Sequence, residues 1–379
     1  MRILYVTDAL AIWGGLERVL VEKANYLASH NGNEVFMLTI SQGGHSFPFP
    51  LDDKVTHVDL NIPFYTQYQY SGIRRLLSLR RLHRDCRKGI RQQLNYINPD
   101  VILCPRIEFV KDICKVKGDS PLAFESHSSF WTSRFERAGL LRRLHTWWMN
   151  QSAKQAQAVV TLTEGDAAAW KKVNNHVFVI PDVVHLNEKD VYSNVDAKSA
   201  VFVGRLSRQK NIGCLLSIWQ LVRQRHPDWQ LHVYGEKGDI EEPLWQQLHE
   251  EGNGITVHSP TTEILNVYQQ HAMLLLTSRY EPFGMVLPEA MSCGLPVIAF
   301  DCPYGPADII TDDMDGFLVK DWDIMSFADK VCLLMENQDL RQQMGQAAIR
   351  SSQRYRSDRI MSVWQELFES LGPKQVLSQ

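Results

Sequence analysis

Ser199-Ala200-Val201-Phe202-Val203-Gly204-Arg205-Leu206-Ser207-Arg208-Gln209-Lys210-Asn211 reads as a buried strand that ends at a glycine and presents two cations, Arg205 and Lys210, before the next helix. The same unit recurs on either side. Downstream, short apolar runs at Gln230–Tyr234, Ile255–His258, Ala272–Thr277, Pro296–Phe300 and Gly316–Val319 are separated by longer amphipathic stretches. Upstream, Arg2–Val6, Glu34–Ile40, Val101–Cys104, Leu122–Glu125, Ala158–Leu162 and Val177–Ile180 repeat the pattern, with helical stretches at 16–30 and 74–95 among those between. Apolar runs alternating with amphipathic helices are the signature of a parallel sheet in an α/β protein. The series occurs twice, so two Rossmann-like domains are expected, over 1–182 and 199–356. The polar stretch 183–198 lacks either periodicity and reads as the linker. A helical stretch at 357–371 follows a complete second domain and is free to cross back to the first; from Pro373 the chain reads as a frayed tail.

Composition agrees with two domains, since 379 residues with 44% hydrophobic content would make one unusually large core. A net charge of −3 argues against a nucleic-acid partner, which needs a strong basic excess. The charge is uneven, however: residues 1–180 hold 23 Lys and Arg against 16 Asp and Glu, whereas residues 181–379 hold 17 against 27. The N-terminal half is therefore the one expected to meet an anionic surface. Seven cysteines without metal-ligand spacing or disulfide density read as reduced core thiols. The apolar run that starts at Ile3 breaks at Thr7-Asp8 with no cleavage-like site after it, and no run reaches the roughly 18 apolar residues of a membrane span. A cytoplasmic protein is expected.

In parallel sheets ligands sit beyond the carboxyl ends of the strands, where loops lead into helices. Three such junctions stand out. Gly14-Gly15-Leu16-Glu17 follows the first strand and opens a helix, either as a simple turn or as a place where a phosphate approaches the helix N-terminus. At the second, Arg205 and Lys210 suit a diphosphate, although a solvated basic loop has the same composition. The third, Ser278-Arg279-Tyr280-Glu281-Pro282-Phe283-Gly284-Met285-Val286-Leu287-Pro288-Glu289, delivers Glu281 into a loop and carries Glu289 one turn into a helix. Two carboxylates there can offset the helix dipole. Alternatively each can accept a pair of hydrogen bonds from vicinal hydroxyl groups, Glu281 from a sugar and Glu289 from a ribose.

Taken together, the Glu281-x7-Glu289 spacing, the Gly204-Arg205-Leu206…Lys210 loop and the Gly14-Gly15 start resemble the large retaining glycosyltransferase family numbered four, which has the GT-B fold of two Rossmann-like domains about a central cleft. Leu162-Thr163-Glu164-Gly165-Asp166 and Cys302-Pro303-Tyr304-Gly305-Pro306-Ala307-Asp308 extend the resemblance, which points to bacterial capsule, lipopolysaccharide and exopolysaccharide enzymes. It implies that Arg205 and Lys210 bind the donor diphosphate and Glu289 the ribose. Glu281 would contact the donor sugar, helped by the backbone amides of Phe283, Gly284 and Met285, and Gly15 would meet the phosphate. His127, just past a predicted strand, matches a histidine that lies beside the reacting sugar in this family. Asp182 in Ile180-Pro181-Asp182-Val183 departs from the family's usual Asn, and Gly235-Glu236-Lys237-Gly238 is less glycine-rich than usual.

The implied reaction transfers a hexose or N-acetylhexosamine from a nucleotide sugar, a UDP-sugar first and a GDP-sugar second, to a glycan or lipid-linked glycan with retained anomeric configuration. No metal or other cofactor is expected, because no Asp-x-Asp arrangement falls in the site and two cations are there to neutralise the diphosphate. A non-hydrolysing sugar-nucleotide epimerase and a non-catalytic sugar-nucleotide-binding subunit share the architecture and stay open. A nicotinamide dehydrogenase does not fit, since no G-x-G-x-x-G run follows the first strand.

Residues 73–94 form a basic amphipathic helix on this reading. Leu76, Leu79, Leu82, Cys86, Ile90 and Leu94 fall within an arc of about 120°, and Arg74, Arg80, Arg81, Arg84, Arg87, Lys88 and Arg91 within a separate arc of about 140°. Two expectations are open for it: a core-packed helix with a solvated basic face, or contact with an anionic membrane surface.

Overall fold

The computed structural model describes residues 1–130, 139–189 and 191–372; the tail expected from Pro373 lies outside these. The chain forms two compact units, one of residues 1–162, 166–183 and 361 onward, the other of 163–165 and 184–360.

Each unit is built on one parallel sheet. In the first, β1 (Arg2–Thr7), β2 (Glu34–Thr39), β3 (Val55–Asp59), β4 (Val101–Cys104), β5 (Leu122–Ser126), β6 (Ala158–Thr161) and β7 (Val177–Val179) lie in the order β3-β2-β1-β4-β5-β6-β7. In the second, β8 (Ser199–Val203), β9 (Gln230–Tyr234), β10 (Ile255–His258), β11 (Met273–Leu276), β12 (Val297–Phe300) and β13 (Gly316–Val319) take the order β10-β9-β8-β11-β12-β13. Strands such as β4 and β11 are continuously apolar because helices cover both faces, and the side chains of Val101–Cys104 and Met273–Leu276 are all buried. The sequence pattern did not show β3. It is an edge strand in which only Val55 is fully buried, so it carries no apolar run.

The helices of the first unit are α1 (Gly15–Ser29), α2 (Gly72–Ile97), α3 (Ile107–Cys114), α4 (Leu140–Asn150) and α5 (Glu164–Trp170), whose opening residues count with the second unit. Those of the second are α6 (Ile212–Arg225), α7 (Glu242–Leu248), α8 (Ile264–Tyr268), α9 (Val286–Ser292), α10 (Gly305–Ile309), α11 (Ile324–Glu336) and α12 (Gln338–Ser352), followed by α13 (Ser357–Leu371). The cores are aromatic at their centres. Trp170 meets Phe124 and Phe130 edge-on in the first, and Phe300 meets Phe327 in the second. Burying each such ring contributes roughly 1.5–3 kcal/mol. The Trp170 indole N–H is satisfied by Ser126 Oγ at 3.1 Å and Asp166 Oδ2 at 3.0 Å.

The expected linker, 184–198, has neither helix nor strand among its described residues and is held against the second unit. Asn187 N donates to Ser292 Oγ at 3.0 Å, Ser193 N to Cys293 O at 2.7 Å and Asn194 N to Gln269 O at 2.9 Å, so its polar backbone is satisfied by the second unit. One expectation needs correction, that for α2: burial begins only at Leu82 and continues through Cys86, Ile90, Leu94 and Ile97. Leu76 is exposed and Leu79 half-buried, because 26 residues at about 1.5 Å each carry the first two turns beyond the core. No helix among the described residues is long and apolar enough to cross a membrane.

Candidate functional site

Strand order decides which loops meet. In the second sheet the order reverses between β8 and β11, and such a switch point opens a crevice beyond the strand ends. The loop after β8 brings Arg205 and Lys210 there, and the loop after β11 brings Glu281. Lys210 Nζ donates to Glu281 Oε1 at 2.6 Å, and Ser278 Oγ donates to the same oxygen at 2.6 Å. The two loops are laced by backbone as well: Arg279 N donates to Gln209 O at 2.8 Å, and Thr277 Oγ1 to Lys210 O at 3.0 Å. Lys210 and Glu281 are both largely buried, with side-chain exposures of 14% and 6%. Arg205 is 65% exposed, with Glu236 at 3.5 Å.

The 235–238 loop zips onto this one. Leu206 N donates to Glu236 O at 2.9 Å and Gly238 N to Leu206 O at 3.0 Å. A Cβ at Gly235 would lie 2.0 Å from the carbonyl oxygen of Gly204, so these backbones can approach only as glycine. The two glycines that this loop does retain fall where the packing needs them.

After Glu281 the chain turns through Phe283, Gly284 and Met285 into α9. Gly284 takes a φ of +99°, which a β-carbon would strain, and Phe283 is buried against Tyr355. Glu281 itself is fixed from behind: its N–H donates to Pro303 O at 2.7 Å, and its carbonyl accepts from Tyr304 N and Gly305 N, both at 2.9 Å. Glu289 lies buried in α9 and accepts from the Tyr268 hydroxyl at 3.2 Å.

In the first unit the order reverses between β1 and β4. Gly14 and Gly15 begin α1 at the end of the loop after β1, with the Glu17 carboxylate folded back over Gly14, so closely that a Cβ there would meet Glu17 Oε2 at 2.4 Å. Arg106, from the loop after β4, faces Glu17 at 3.6 Å.

His127 sits at the end of β5 in a buried charge network. Its Nε2 is 3.2 Å from Glu125 Oε2 and its Nδ1 is 3.2 Å from Asp182 Oδ1. Glu125 also pairs with Lys23 of α1, whose ammonium lies 3.9 Å over the ring of Trp364 in α13. Burial alone would lower the His127 pKa, but Asp182 and Glu125 outweigh it and raise the value to about 9. Burial pushes the Glu125 carboxyl up, yet Lys23 and His127 hold it below its ordinary range. The imidazole is thus a cation at neutral pH.

Sequence reasoning missed Lys23, Glu125 and Asp182 as functional candidates. The signal for Lys23 was available, since it falls between Leu20, Ala24 and Leu27 on the buried face of α1. Asp182 was visible only as a departure from the family pattern; the structure shows that the departure supplies His127 with a counter-charge.

Residues 13–188 match the family model described as Glycosyltransferase Family 4, and residues 186–351 the model described as Glycosyl transferases group 1. Over 356 residues the chain is 26% identical to an uncharacterized glycosyltransferase of Haemophilus influenzae, covering 93% of this chain and 95% of that protein. It is 34% identical to the amylovoran biosynthesis glycosyltransferase AmsD of Erwinia amylovora, over 56% of this chain and 62% of AmsD. Among solved structures, Anabaena HepE in complex with UDP superposes with a TM-score of 0.72 at 17% identity, covering 98% of this chain and 99% of HepE. The two family matches run without a gap from residue 13 to residue 351, and the protein belongs to glycosyltransferase family 4, with the two Rossmann-like domains of the GT-B fold.

Proposed function

We propose that this glycosyltransferase is a retaining enzyme of surface-polysaccharide biosynthesis that moves a hexose or N-acetylhexosamine from a UDP-sugar to a glycan or lipid-linked glycan, without a divalent metal. The observation that carries the proposal is the Lys210–Glu281 pair at the switch point of the second sheet. A donor entering beside it gives the ammonium a diphosphate to neutralise and releases Glu281 to accept from a sugar hydroxyl. Charge-assisted hydrogen bonds of this kind contribute roughly 1.5–3 kcal/mol each. Arg205 adds a second cation, and Glu289 takes the ribose. The UDP bound to HepE supports a uridine donor, and the biosynthetic role in AmsD's name supports a polysaccharide product.

In the proposed step the bond from the anomeric carbon to the leaving phosphate breaks while the acceptor oxygen attacks the same face. The acceptor's proton passes to the leaving phosphate oxygen. The protein contributes orientation and charge stabilisation rather than a covalent nucleophile. His127, with both ring nitrogens facing carboxylates, is held as a cation and contributes positive charge beside the reacting sugar instead of taking a proton from it.

The reaction is placed on the cytoplasmic face of a membrane, with the start of α2 as the point of attachment. Tyr70, Ile73 and Arg74 are exposed there, Ile73 to 78%. Aromatic and aliphatic side chains beside a cation suit the anionic interfacial layer.

The test is transfer by the purified chain from individual UDP-sugars to oligosaccharide and lipid-linked acceptors, with the product's anomeric configuration determined by proton NMR. Retention of the donor's configuration is expected. Inversion overturns the mechanism, conversion of donor without acceptor favours an epimerase, and tight donor binding without transfer to any acceptor favours a binding subunit.

A further inference from the structure

A long depression in the first unit runs between α2, α3, α4 and the turn Phe64–Gln69, and begins at Asp8 and Ile12, beside the Gly14-Gly15 turn. Its volume of about 1740 Å³ exceeds the roughly 300–1,000 Å³ of a small-ligand pocket, so it has room for a chain of several units.

The lining is strongly cationic. Eight Arg and Lys side chains reach it against four Asp and Glu. Two of the four acids are already engaged, Asp112 by Arg87 at 2.8 Å and by His83, and Glu17 by Arg106 at 3.6 Å. By contrast, Arg80 of α2 and Lys111 and Lys115 at α3 have no carboxylate partner among the described residues. Like charges gathered from two helices without counter-charges repel one another, and an anionic occupant relieves that repulsion.

Two of the cations lie over exposed aromatic rings. Lys111 lies 4.9 Å over Trp148, and Arg75 lies 5.2 Å over Tyr68, and both rings are exposed. An aromatic face flanked by a cation suits a sugar ring that bears an acid group, whereas a flat bilayer cannot follow a concave groove.

We infer that this groove holds the acceptor, and that the acceptor is a polyanionic glycan, a run of sugars or alditols bearing carboxylate or phosphodiester groups on successive units. The inference rests on the glycosyltransferase reading for its biological meaning, but its physical content is binding to the first unit alone.

Binding by the full chain is measured by fluorescence anisotropy with labelled hexagalacturonate, its fully methyl-esterified neutral form, and a glycerol-phosphate hexamer. At low ionic strength the two anionic probes are expected to bind at least tenfold more tightly than the neutral ester, and added salt to erase the difference. The stronger of the two identifies carboxylate or phosphodiester as the better source of the charge. Substituting Lys111→Ser and Lys115→Ser together should weaken anionic binding tenfold or more, while Lys111→Arg with Lys115→Arg restores it. The thermal midpoint and UDP binding report that the Ser variant is folded. Equal binding of charged and neutral probes overturns the inference, as does unchanged anionic binding in the Ser variant or binding of the parent to phosphatidylglycerol vesicles but to neither oligomer. Loss of UDP binding with oligomer binding intact strikes the donor reading and leaves the groove standing; the converse strikes the groove alone.

Discussion

Lys210 Nζ and Glu281 Oε1 meet at 2.6 Å although 71 positions separate them in the chain, because β8 and β11, whose loops carry them, are neighbours in the sheet. Both are mostly buried, so each charge depends on the other.

Removing either partner leaves the other charge stranded, at a cost of about 3 kcal/mol. Lys210→Ala and Glu281→Ala should each lower kcat/KM for transfer at least tenfold, roughly 1.4 kcal/mol or more of transition-state stabilisation, and lower the unfolding midpoint. The double substitution Lys210→Met with Glu281→Leu should regain stability without regaining transfer. Near-normal transfer in either single variant removes that residue from the site.

His127 sets an alkaline limit. Its folded pKa of about 9 lies above the ordinary 6.5, so its stabilising contribution is complete below about pH 6.5 and is lost as pH rises through about 9. Transfer should fall along the same limb. In Asp182→Asn the largest favourable charge is gone, and the limb should move toward neutral in a kcat/KM profile from pH 6 to 10. Superimposable profiles would show that Asp182 does not govern this histidine.

An acid limit should come from the second unit. Burial, with His232 and His258 nearby, lowers the His271 pKa to about 4, while its Nδ1 is 2.8 Å from Ser199 Oγ. The unfolded chain takes up this proton first, so stability is full above about pH 6.5 and declines toward pH 4, by about 3 kcal/mol over the window. Denaturant midpoints at pH 7 and 4.5 should converge in His271→Asn; an unchanged gap assigns the acid limb elsewhere.

Excess EDTA should leave the transfer rate within about twofold of the untreated rate, on the proposal that Arg205 and Lys210 neutralise the diphosphate. A complete loss that Mg²⁺ or Mn²⁺ restores contradicts it.

Vesicle sedimentation tests the tip of α2. The parent should sediment with phosphatidylglycerol vesicles but not phosphatidylcholine ones at low salt, and Tyr70→Ser with Ile73→Ser should weaken this about tenfold or more. None of Tyr70, Ile73 and Arg74 lines the groove, so acceptor binding should persist in this variant.

A strand with an uninterrupted apolar run, such as Val101–Cys104, could be placed to the residue from sequence, because burial on both faces demands such a run. The edge strand Val55–Asp59 could not, since its outer side faces no neighbouring strand. Lys210 and Glu281 were legible one by one, each lying on a strand-to-helix junction, but their contact was not, because it depends on strand order. Lys23 and Glu125 escaped for a different reason: periodicity marks a helix face as buried but does not say that a charge there has found its partner. Leu76 was misplaced because a helical wheel has no length and cannot show where a helix leaves its core.

The return of the chain to the first unit at residue 361 also bears on the order of events during synthesis. Ribosomes deliver residues 1–183 well before Trp364, which covers the buried Lys23 ammonium. Until that last helix emerges, the nascent first domain holds Lys23 and its carboxylate partner under an open roof, and the second domain can finish folding before the first does.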